Sequence, residues 1–137
     1  MTIKSLEVNA IAPLHLSQLF MKNVIASEQK KIVVISSKAG SFELGPKMPM
    51  MYSYRGSKAA LNMYMYTLSF EASTIGVIVT LLSSGQVNKV PGTKLPNDIA
   101  TDESGSNMLT VIDCLTIEPN CQCLDLEDVR NAGGLVC

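Results

Sequence analysis

A tyrosine and a lysine stand four residues apart in the stretch YSYRGSKAALNMY, as Tyr54 and Lys58. Residues four apart lie on one face of a helix, and the good helix formers that follow predict a helix beginning near Tyr54. A free phenol has a pKa of about 10 and is therefore a poor base at neutral pH. An ammonium group about 5 Å away, at an effective dielectric constant of about 20, attracts a phenolate by roughly 3 kcal/mol. The pair could thus perform general acid–base chemistry.

A hydroxyl group could complete such a site. The stretch KIVVISS is short, apolar and β-branched, which predicts a strand that ends at Ser36 and Ser37. A serine at the strand end could donate a hydrogen bond to a substrate oxygen beside the phenol. A Tyr-x-x-x-Lys spacing also occurs by chance on many solvated helices, so the neighbouring elements must distinguish a catalytic pair from surface residues.

A second apolar stretch, GVIVTLLSS, follows the predicted tyrosine helix. Both stretches favour strands that are buried on two faces. A strand, a helix and a second strand in this order predict a right-handed crossover and a parallel sheet. The sequence therefore predicts an α/β fold.

Helices and a further strand are predicted on either side of this unit. The segment SLEVNAIAPLHLSQLFMKNVIAS has the spacing of a helix with a broad buried face. Pro13 lies inside it and has no N–H for the carbonyl of Asn9, four residues earlier, which predicts that this carbonyl is free. Thr101 and the acidic residues after it predict the capped start of another helix. CQCLDLED favours a last edge strand.

Two segments rich in glycine and proline, SFELGPKMPMM and QVNKVPGTKLPNDIA, are predicted to be long loops. Ligands of open parallel sheets bind beyond the carboxyl ends of the strands, where both loops begin. Met48, Met50 and Met51 either line an apolar pocket there or belong to a surface loop, and the sequence does not decide between the two.

Composition narrows the class of protein. The chain has 137 residues, of which 47% are apolar, enough for one domain with a core. The formal charge of −1 and the lack of a basic block speak against a nucleic-acid partner. No apolar window of roughly 18 residues and no signal-peptide pattern occur, so we expect a cytoplasmic protein without a membrane partner.

Two other chemistries find little support. The four cysteines lack the paired spacing of a zinc site, so we expect reduced thiols packed as small hydrophobic groups and no bound metal; they are Cys114, Cys121, Cys123 and Cys137. Ser27 and Lys30 fit the S-x-x-K spacing of a serine hydrolase, but the companion motifs of that mechanism are missing.

The segments taken together resemble the short-chain dehydrogenase/reductase family of Rossmann-fold oxidoreductases. The family has an asparagine in a kinked helix, a strand ending in serine, Tyr-x-x-x-Lys opening a long helix, and a strand followed by Pro-Gly. This chain shows VNAIAP, IVVISSKAG, YRGSKAALN and IVTLLSSGQV in that order, over about eighty residues. The sequence YRGSKAALN, and the long stretch of chain between the serine and the tyrosine, resemble most the C-factor-like carbonyl reductase branch of the family.

The resemblance implies hydride transfer between NAD(P)H and a carbonyl compound or alcohol. It implies that Tyr54 is the acid/base, and that Lys58 favours its phenolate and holds the nicotinamide ribose. Ser37 would hydrogen-bond the substrate carbonyl, and the main-chain carbonyl of Asn9 would hold a water of the proton relay. Ser36 would be a structural neighbour.

The cofactor, NAD or NADP, would by the same resemblance contact four residues: Tyr54, Lys58, Gly85 and Val87. The family motif Pro-Gly-x-Val-x-Thr is altered here, because Ser84 replaces the proline and Lys89 replaces the threonine. No G-x-G-x-x-G turn occurs anywhere in the sequence to receive the pyrophosphate. We therefore expect no measurable NAD(P)H binding by the chain alone.

The resemblance covers the C-terminal, catalytic half of the family's doubly wound parallel sheet, about three strands with flanking helices, in a single domain over residues 1–137. The strand that ends in Ser37 would then expose an apolar edge. We expect a partner to cover that edge, either a second copy of the chain or a separate N-terminal half. The alternative is a non-catalytic fragment that acts as an interaction or oligomerisation module.

Overall fold

A computed structural model describes residues 2–47, 49–88, 93, 98–117 and 123–125. The predicted α/β fold is confirmed. In chain order the elements are α1 (Thr2–Leu6), a π-helix (Glu7–Ile11), α2 (Ala12–Leu19), α3 (Met21–Ala26), β1 (Lys31–Ser36), a 3₁₀ helix (Lys38–Gly40), α4 (Tyr52–Ser73), β2 (Ile78–Ser83), α5 (Thr101–Cys114) and β3 (Cys123–Asp125).

The described strands form one parallel sheet in the order β1-β2-β3. Helix α4 connects β1 to β2, so the predicted parallel crossover is present, and β3 is the predicted edge strand. Lys31 pairs with Ile78 at one end and Ser36 pairs with Ser83 at the other. Because the two parallel strands pair without an offset in register, their carboxyl ends lie at the same edge of the sheet.

The core lies between β2 and α4. Every residue of β2 is buried. Helix α4 turns Leu61, Met65, Leu68 and Ala72 towards the sheet, at the three- and four-residue spacing of one helical face. Each fully buried leucine or methionine contributes roughly 1.5–3 kcal/mol to stability. The long helix is therefore fixed in rotation, and this rotation determines where its polar residues point.

Strand β1 differs from the prediction. It was predicted to be buried on both faces, but Ile35 is 47% exposed while Ile32 and Ser36 are buried. Within the described residues β1 pairs with β2 alone, so its other side is a sheet edge. An apolar edge strand of this kind is a surface that proteins usually cover.

The predicted first helix is divided into four helical segments. Pro13 lies at the start of α2, and the turn before it widens to a π-helix in which the Ala12 N–H donates to the Glu7 carbonyl, five residues back. A proline lacks the donor for a regular turn, and a widened turn is one way to accommodate it. The prediction of a broad buried face was also wrong. Ala10 is the one buried residue described in these segments, and Leu19 is 74% exposed.

Helix α5 begins at Thr101, but Thr101 is not its cap. Ala100 occupies the cap position, and its side chain makes no capping hydrogen bond. At the other end, the ammonium of Lys31 donates to the Ile112 carbonyl at 2.6 Å and to the Asp113 carbonyl at 3.3 Å. These bonds satisfy helix-end carbonyls and tie α5 to the start of β1.

Two of the four cysteines lie in the described part of the chain. Cys114 is exposed at the end of α5 rather than packed as predicted. Cys123 belongs to β3, and Cys121 and Cys137 lie outside the described residues. Among the described residues no cluster of histidine, cysteine or carboxylate side chains is arranged to hold a metal ion. None of the described helices has the length and apolar character needed to cross a bilayer.

Candidate active site

A cavity of about 340 Å³ opens at the carboxyl ends of β1 and β2. We refer to it as the strand-end cavity. Ser37 enters it from the end of β1, and Gly85 enters it from the end of β2. Gly85 has a φ of +71°, a backbone conformation that side-chain-bearing residues rarely adopt. The walls include Lys38, Ala39, Leu44, Pro46 and Gln86.

Ser37 and Ser36 point in opposite directions, as successive residues of an extended chain do. The Ser37 hydroxyl accepts a hydrogen bond from the Ala39 N–H at 3.2 Å, which leaves its own hydrogen available to a ligand in the cavity. The buried Ser36 hydroxyl instead donates to Oδ1 of Asn62 on α4. This contact agrees with the structural role predicted for Ser36.

Tyr54 and Lys58 both lie on α4, one turn apart, near its start. The Tyr54 side chain is 37% exposed. The Lys58 ammonium donates to the main-chain carbonyl of Ile35 at 2.9 Å. Ile35 is two residues before Ser37, so this bond ties the tyrosine–lysine face of the helix to the strand end that carries the serine.

Burial lowers the pKa of Lys58 below its ordinary value of 10.5. The folded chain therefore holds this proton less tightly than the unfolded chain, and charged Lys58 opposes folding below its folded-state pKa. That opposition disappears as the pH rises from the lowered pKa to 10.5.

We predict that the chain gains stability relative to a Lys58→Met variant between neutral pH and about pH 10. The variant also loses the hydrogen bond to Ile35, which changes its free energy of unfolding by the same amount at every pH in this range. The change with pH in the stability difference between the two proteins therefore reports the ionisation of Lys58. Urea unfolding of both proteins across this range measures it. Lys22→Met, which removes an exposed lysine from α3, is the control and should show a flat difference. The prediction would be contradicted if the stability difference from the unaltered chain changed equally with pH for Lys58→Met and Lys22→Met.

Asn9 reaches the same helix through its side chain. Its amide Nδ2 donates to the hydroxyl of Ser57 at 3.0 Å, and that hydroxyl donates to the main-chain carbonyl of Tyr54 at 2.8 Å. Ser57 is completely buried. Sequence reasoning missed Ser57, although a small polar residue three positions after the tyrosine and on the core-facing side of α4 was the available signal. The water-binding role of the Asn9 carbonyl stays a prediction.

Replacing Asn9 with alanine should lower the free energy of unfolding by about 1 kcal/mol, because the buried Ser57 oxygen loses its donor. Asn23→Ala removes the same amide from an exposed position on α3 and should change stability by less than about 0.5 kcal/mol. Urea unfolding of both variants gives the comparison. A loss no larger for Asn9 than for Asn23 would mean that the hydrogen bond contributes nothing.

The remaining predicted residues are not among those that line the strand-end cavity, or they lie outside the described residues. Val87 forms a parallel bridge with Ile99, two residues beyond Gly85. Met50 lines a second cavity of about 410 Å³ between α4 and the loop before it, and Met50 and Met51 are 63% and 46% exposed. Met48 and Lys89 are outside the described residues.

The Ser27 hydroxyl donates to the Val24 carbonyl at 2.7 Å and accepts from the Lys30 N–H at 3.1 Å. Ser27 therefore closes the turn after α3. Its contacts are with main-chain groups, which fits a helix-end role better than that of a nucleophile activated by the Lys30 ammonium.

The parallel sheet, the crossover helix and a site at the strand ends define an α/β protein of the Rossmann type. A family model described as short chain dehydrogenase matches residues 2–99. The chain belongs to the short-chain dehydrogenase family.

Curated relatives match most of this chain. An uncharacterized oxidoreductase of Schizosaccharomyces pombe is 34% identical over 131 residues, which cover 83% of this chain and 51% of that protein. The C-signal protein of Myxococcus xanthus is 29% identical, and the match covers 84% of this chain and 68% of that protein. The chain spans about half the length of the yeast relatives it matches.

Solved structures agree with this assignment. The NADPH-bound carbonyl reductase from chicken fatty liver superposes with a TM-score of 0.79 at 32% identity, covering 93% of this chain and 56% of that chain. The carbonyl reductase Sniffer of D. melanogaster superposes with a TM-score of 0.76 at 24% identity, covering 92% and 54%, which supports the fold alone.

Proposed function

We propose that this chain supplies the catalytic half of an NAD(P)-dependent reductase that transfers hydride between the cofactor and a carbonyl compound or alcohol. The strand-end cavity carries the proposal, because it brings together Ser37 and Gly85, which are far apart in sequence and were predicted to contact substrate and cofactor. Ligands of open parallel sheets bind at this edge. Lys58 is tied to the same strand end.

Each proposed catalytic residue has a defined task. The Ser37 hydroxyl donates to the oxygen of the substrate carbonyl, oriented by the bond it accepts from Ala39. Tyr54 gives a proton to that oxygen in reduction and takes it back in oxidation. The Lys58 ammonium stabilises the phenolate left on Tyr54. Asn9 supports the tyrosine turn through Ser57 and, in the proposal, returns the proton to solvent through a water on its carbonyl.

The cofactor proposal rests on how well the residues fit a nicotinamide. The bound nicotinamide would supply or accept the hydride. Gly85 presents bare backbone in a positive-φ conformation, so a flat ring can approach without meeting a side chain. Lys58 has two further N–H donors beyond the one given to Ile35 that can hold ribose hydroxyls. The pyrophosphate half has no matching glycine-rich turn in this sequence.

We propose that a partner covers the edge of β1 and completes the cofactor site. This partner is either a separate N-terminal half of the family fold or a second copy of the chain. Ile35 on β1 is 47% exposed, which supports a covered edge, and two further apolar side chains between α2 and α3 are also exposed, Leu19 at 74% and Phe20 at 57%.

The test is NADPH or NADH oxidation with a panel of small aldehydes and ketones. The purified chain is assayed alone and together with the part of the S. pombe oxidoreductase that lies outside the match. We expect activity in the mixture and none with either part alone. Absence of activity in the mixture, with a complex formed between the two parts, would contradict the catalytic proposal.

The second candidate is a non-catalytic interaction or oligomerisation module. The specific observation that favours it is a row of exposed apolar residues on the outer face of α4: Tyr52, Met63, Tyr66 and Phe70. Met63, Tyr66 and Phe70 follow the three- and four-residue spacing of one helical face, and Tyr52 lies on the same face about three turns earlier. Light scattering of the purified chain distinguishes a monomer from a self-associated form, and a monomer at high concentration would contradict this second candidate.

A further inference from the structure

One side chain of α4 holds both ends of the loop that walls the strand-end cavity. We define the cavity loop as residues 38–46. Arg55 follows Tyr54 directly, and its Nε donates to the carbonyl of Ala39 at 3.3 Å while its Nη1 donates to the carbonyl of Pro46 at 3.0 Å. Ala39 and Pro46 both line the cavity. The guanidinium therefore links the two ends of the cavity loop.

The loop is packed closely against this guanidinium. Gly45 is buried, and a Cβ atom there would lie 3.1 Å from Nη2 of Arg55 and 2.4 Å from the Ser41 carbonyl oxygen. Within the loop, the Leu44 N–H donates to the Ser41 hydroxyl at 3.0 Å. Leu44 consequently enters the cavity from a turn whose two ends are fixed by the same arginine.

The choice of arginine has a physical reason. Its planar guanidinium presents several N–H donors in a fixed fork, so one side chain can bond two carbonyls that belong to different parts of a loop. Hydrogen bonds from a charged donor are roughly twice as strong as neutral ones. Lysine carries a point charge on a flexible stem and does not reproduce this geometry.

We propose that Arg55 is a positioning residue that fixes the wall of the strand-end cavity and thereby limits the size of the carbonyl compound that reaches Ser37. The proposal rests on the proposed function, since it assumes that carbonyl compounds enter this cavity. It assigns no chemical step to Arg55, which acts through Ala39, Leu44 and Pro46.

Hydrogen exchange on the full chain tests the positioning role without any activity. In Arg55→Met and Arg55→Lys, the amides of Gly40, Ser41 and Leu44 should lose protection by at least about tenfold, because the bonds that hold their turn are removed. Amides in the buried part of α4, such as those of Leu61 and Met65, should keep their protection. Lys22→Met removes one exposed positive charge on α3 and is the matched control. Unchanged protection of the loop would overturn the proposal.

Ligand titration tests the effect on size. Acetophenone and benzophenone serve as a smaller and a bulkier ketone probe, and binding is followed by the NMR shifts of the Ser37 and Gly85 amides. The unaltered chain should prefer acetophenone, and Arg55→Met should reduce this preference by about fivefold or more. The proposal would be overturned if Arg55→Met lost hydrogen-exchange protection in the cavity loop but kept its preference for acetophenone. It would also be overturned if neither ketone shifted the amide signals of Ser37 and Gly85. Because binding is measured without hydride transfer, failure of the catalytic proposal gives a separate result.

Discussion

Replacing Tyr54 with phenylalanine is expected to lower kcat/KM for the proposed NAD(P)H-dependent carbonyl reduction by about 10²–10⁴-fold, the usual contribution of a positioned acid or base. The variant keeps the aromatic ring and removes the phenol oxygen alone. Tyr54 is 37% exposed, and its side-chain oxygen has no described role in the core, so the free energy of unfolding should change by less than about 0.5 kcal/mol. The measurement is the steady-state rate in the reconstituted mixture described above.

Tyr52→Phe is a closely matched control for this loss. Tyr52 lies two residues earlier on the same helix, is 83% exposed, and lines the second cavity of about 410 Å³. Removing its hydroxyl should leave kcat/KM within about twofold. If both variants lose activity equally, or neither does, Tyr54 is not the acid/base and the proposed site is wrong.

Replacing Gly40 with alanine is expected to lower the free energy of unfolding by about 1–3 kcal/mol, the usual cost of forcing extra atoms into a packed position. A Cβ atom at Gly40 would lie 2.7 Å from the main-chain carbon of Lys58 and 2.9 Å from the main-chain nitrogen of Ala59. Backbone atoms of a helix cannot move aside as a flexible side-chain end can. The 3₁₀ helix that carries Gly40 must therefore shift away from α4, and the turn beginning at Ser37 moves with it.

Gly56→Ala is the control for this second prediction. Gly56 lies on the exposed side of α4, and a Cβ atom there would meet nothing within 4 Å. Alanine is the better helix former, so this variant should gain about 0.5–1 kcal/mol. Urea unfolding compares the two variants. A Gly40→Ala protein as stable as the unaltered chain would show that the loop does not pack on the helix as described.

The sequence predicts the central unit of the fold well because its signals are local. The β-branched runs and the helical spacing of Leu61, Met65 and Leu68 each identify an element, and their order requires a parallel crossover. This unit alone places Ser37 at a strand end and Lys58 on the helix that crosses behind the strand. The placement of the predicted site along the chain therefore follows from periodicity and connection handedness.

What the sequence does not predict depends on contacts between distant segments. Asn9 and Ser57 are 48 residues apart, and neither residue's neighbours indicate that their side chains meet. The bonds from Arg55 to Ala39 and Pro46 depend on the path of a loop that has no periodic pattern. The exposure of Ile35 depends on what lies beside β1, which local sequence does not encode.

The hydrogen bond between Lys58 and Ile35 has an electrostatic consequence. A carbonyl is a neutral acceptor, so this contact positions the ammonium without cancelling its positive charge, as a carboxylate would. The field of Lys58 therefore still acts on an anionic oxygen formed nearby. A short hydrogen bond to a dipole is also far less sensitive to ionic strength than a pair of opposite surface charges. The cation at this strand end should consequently stay in place in concentrated salt.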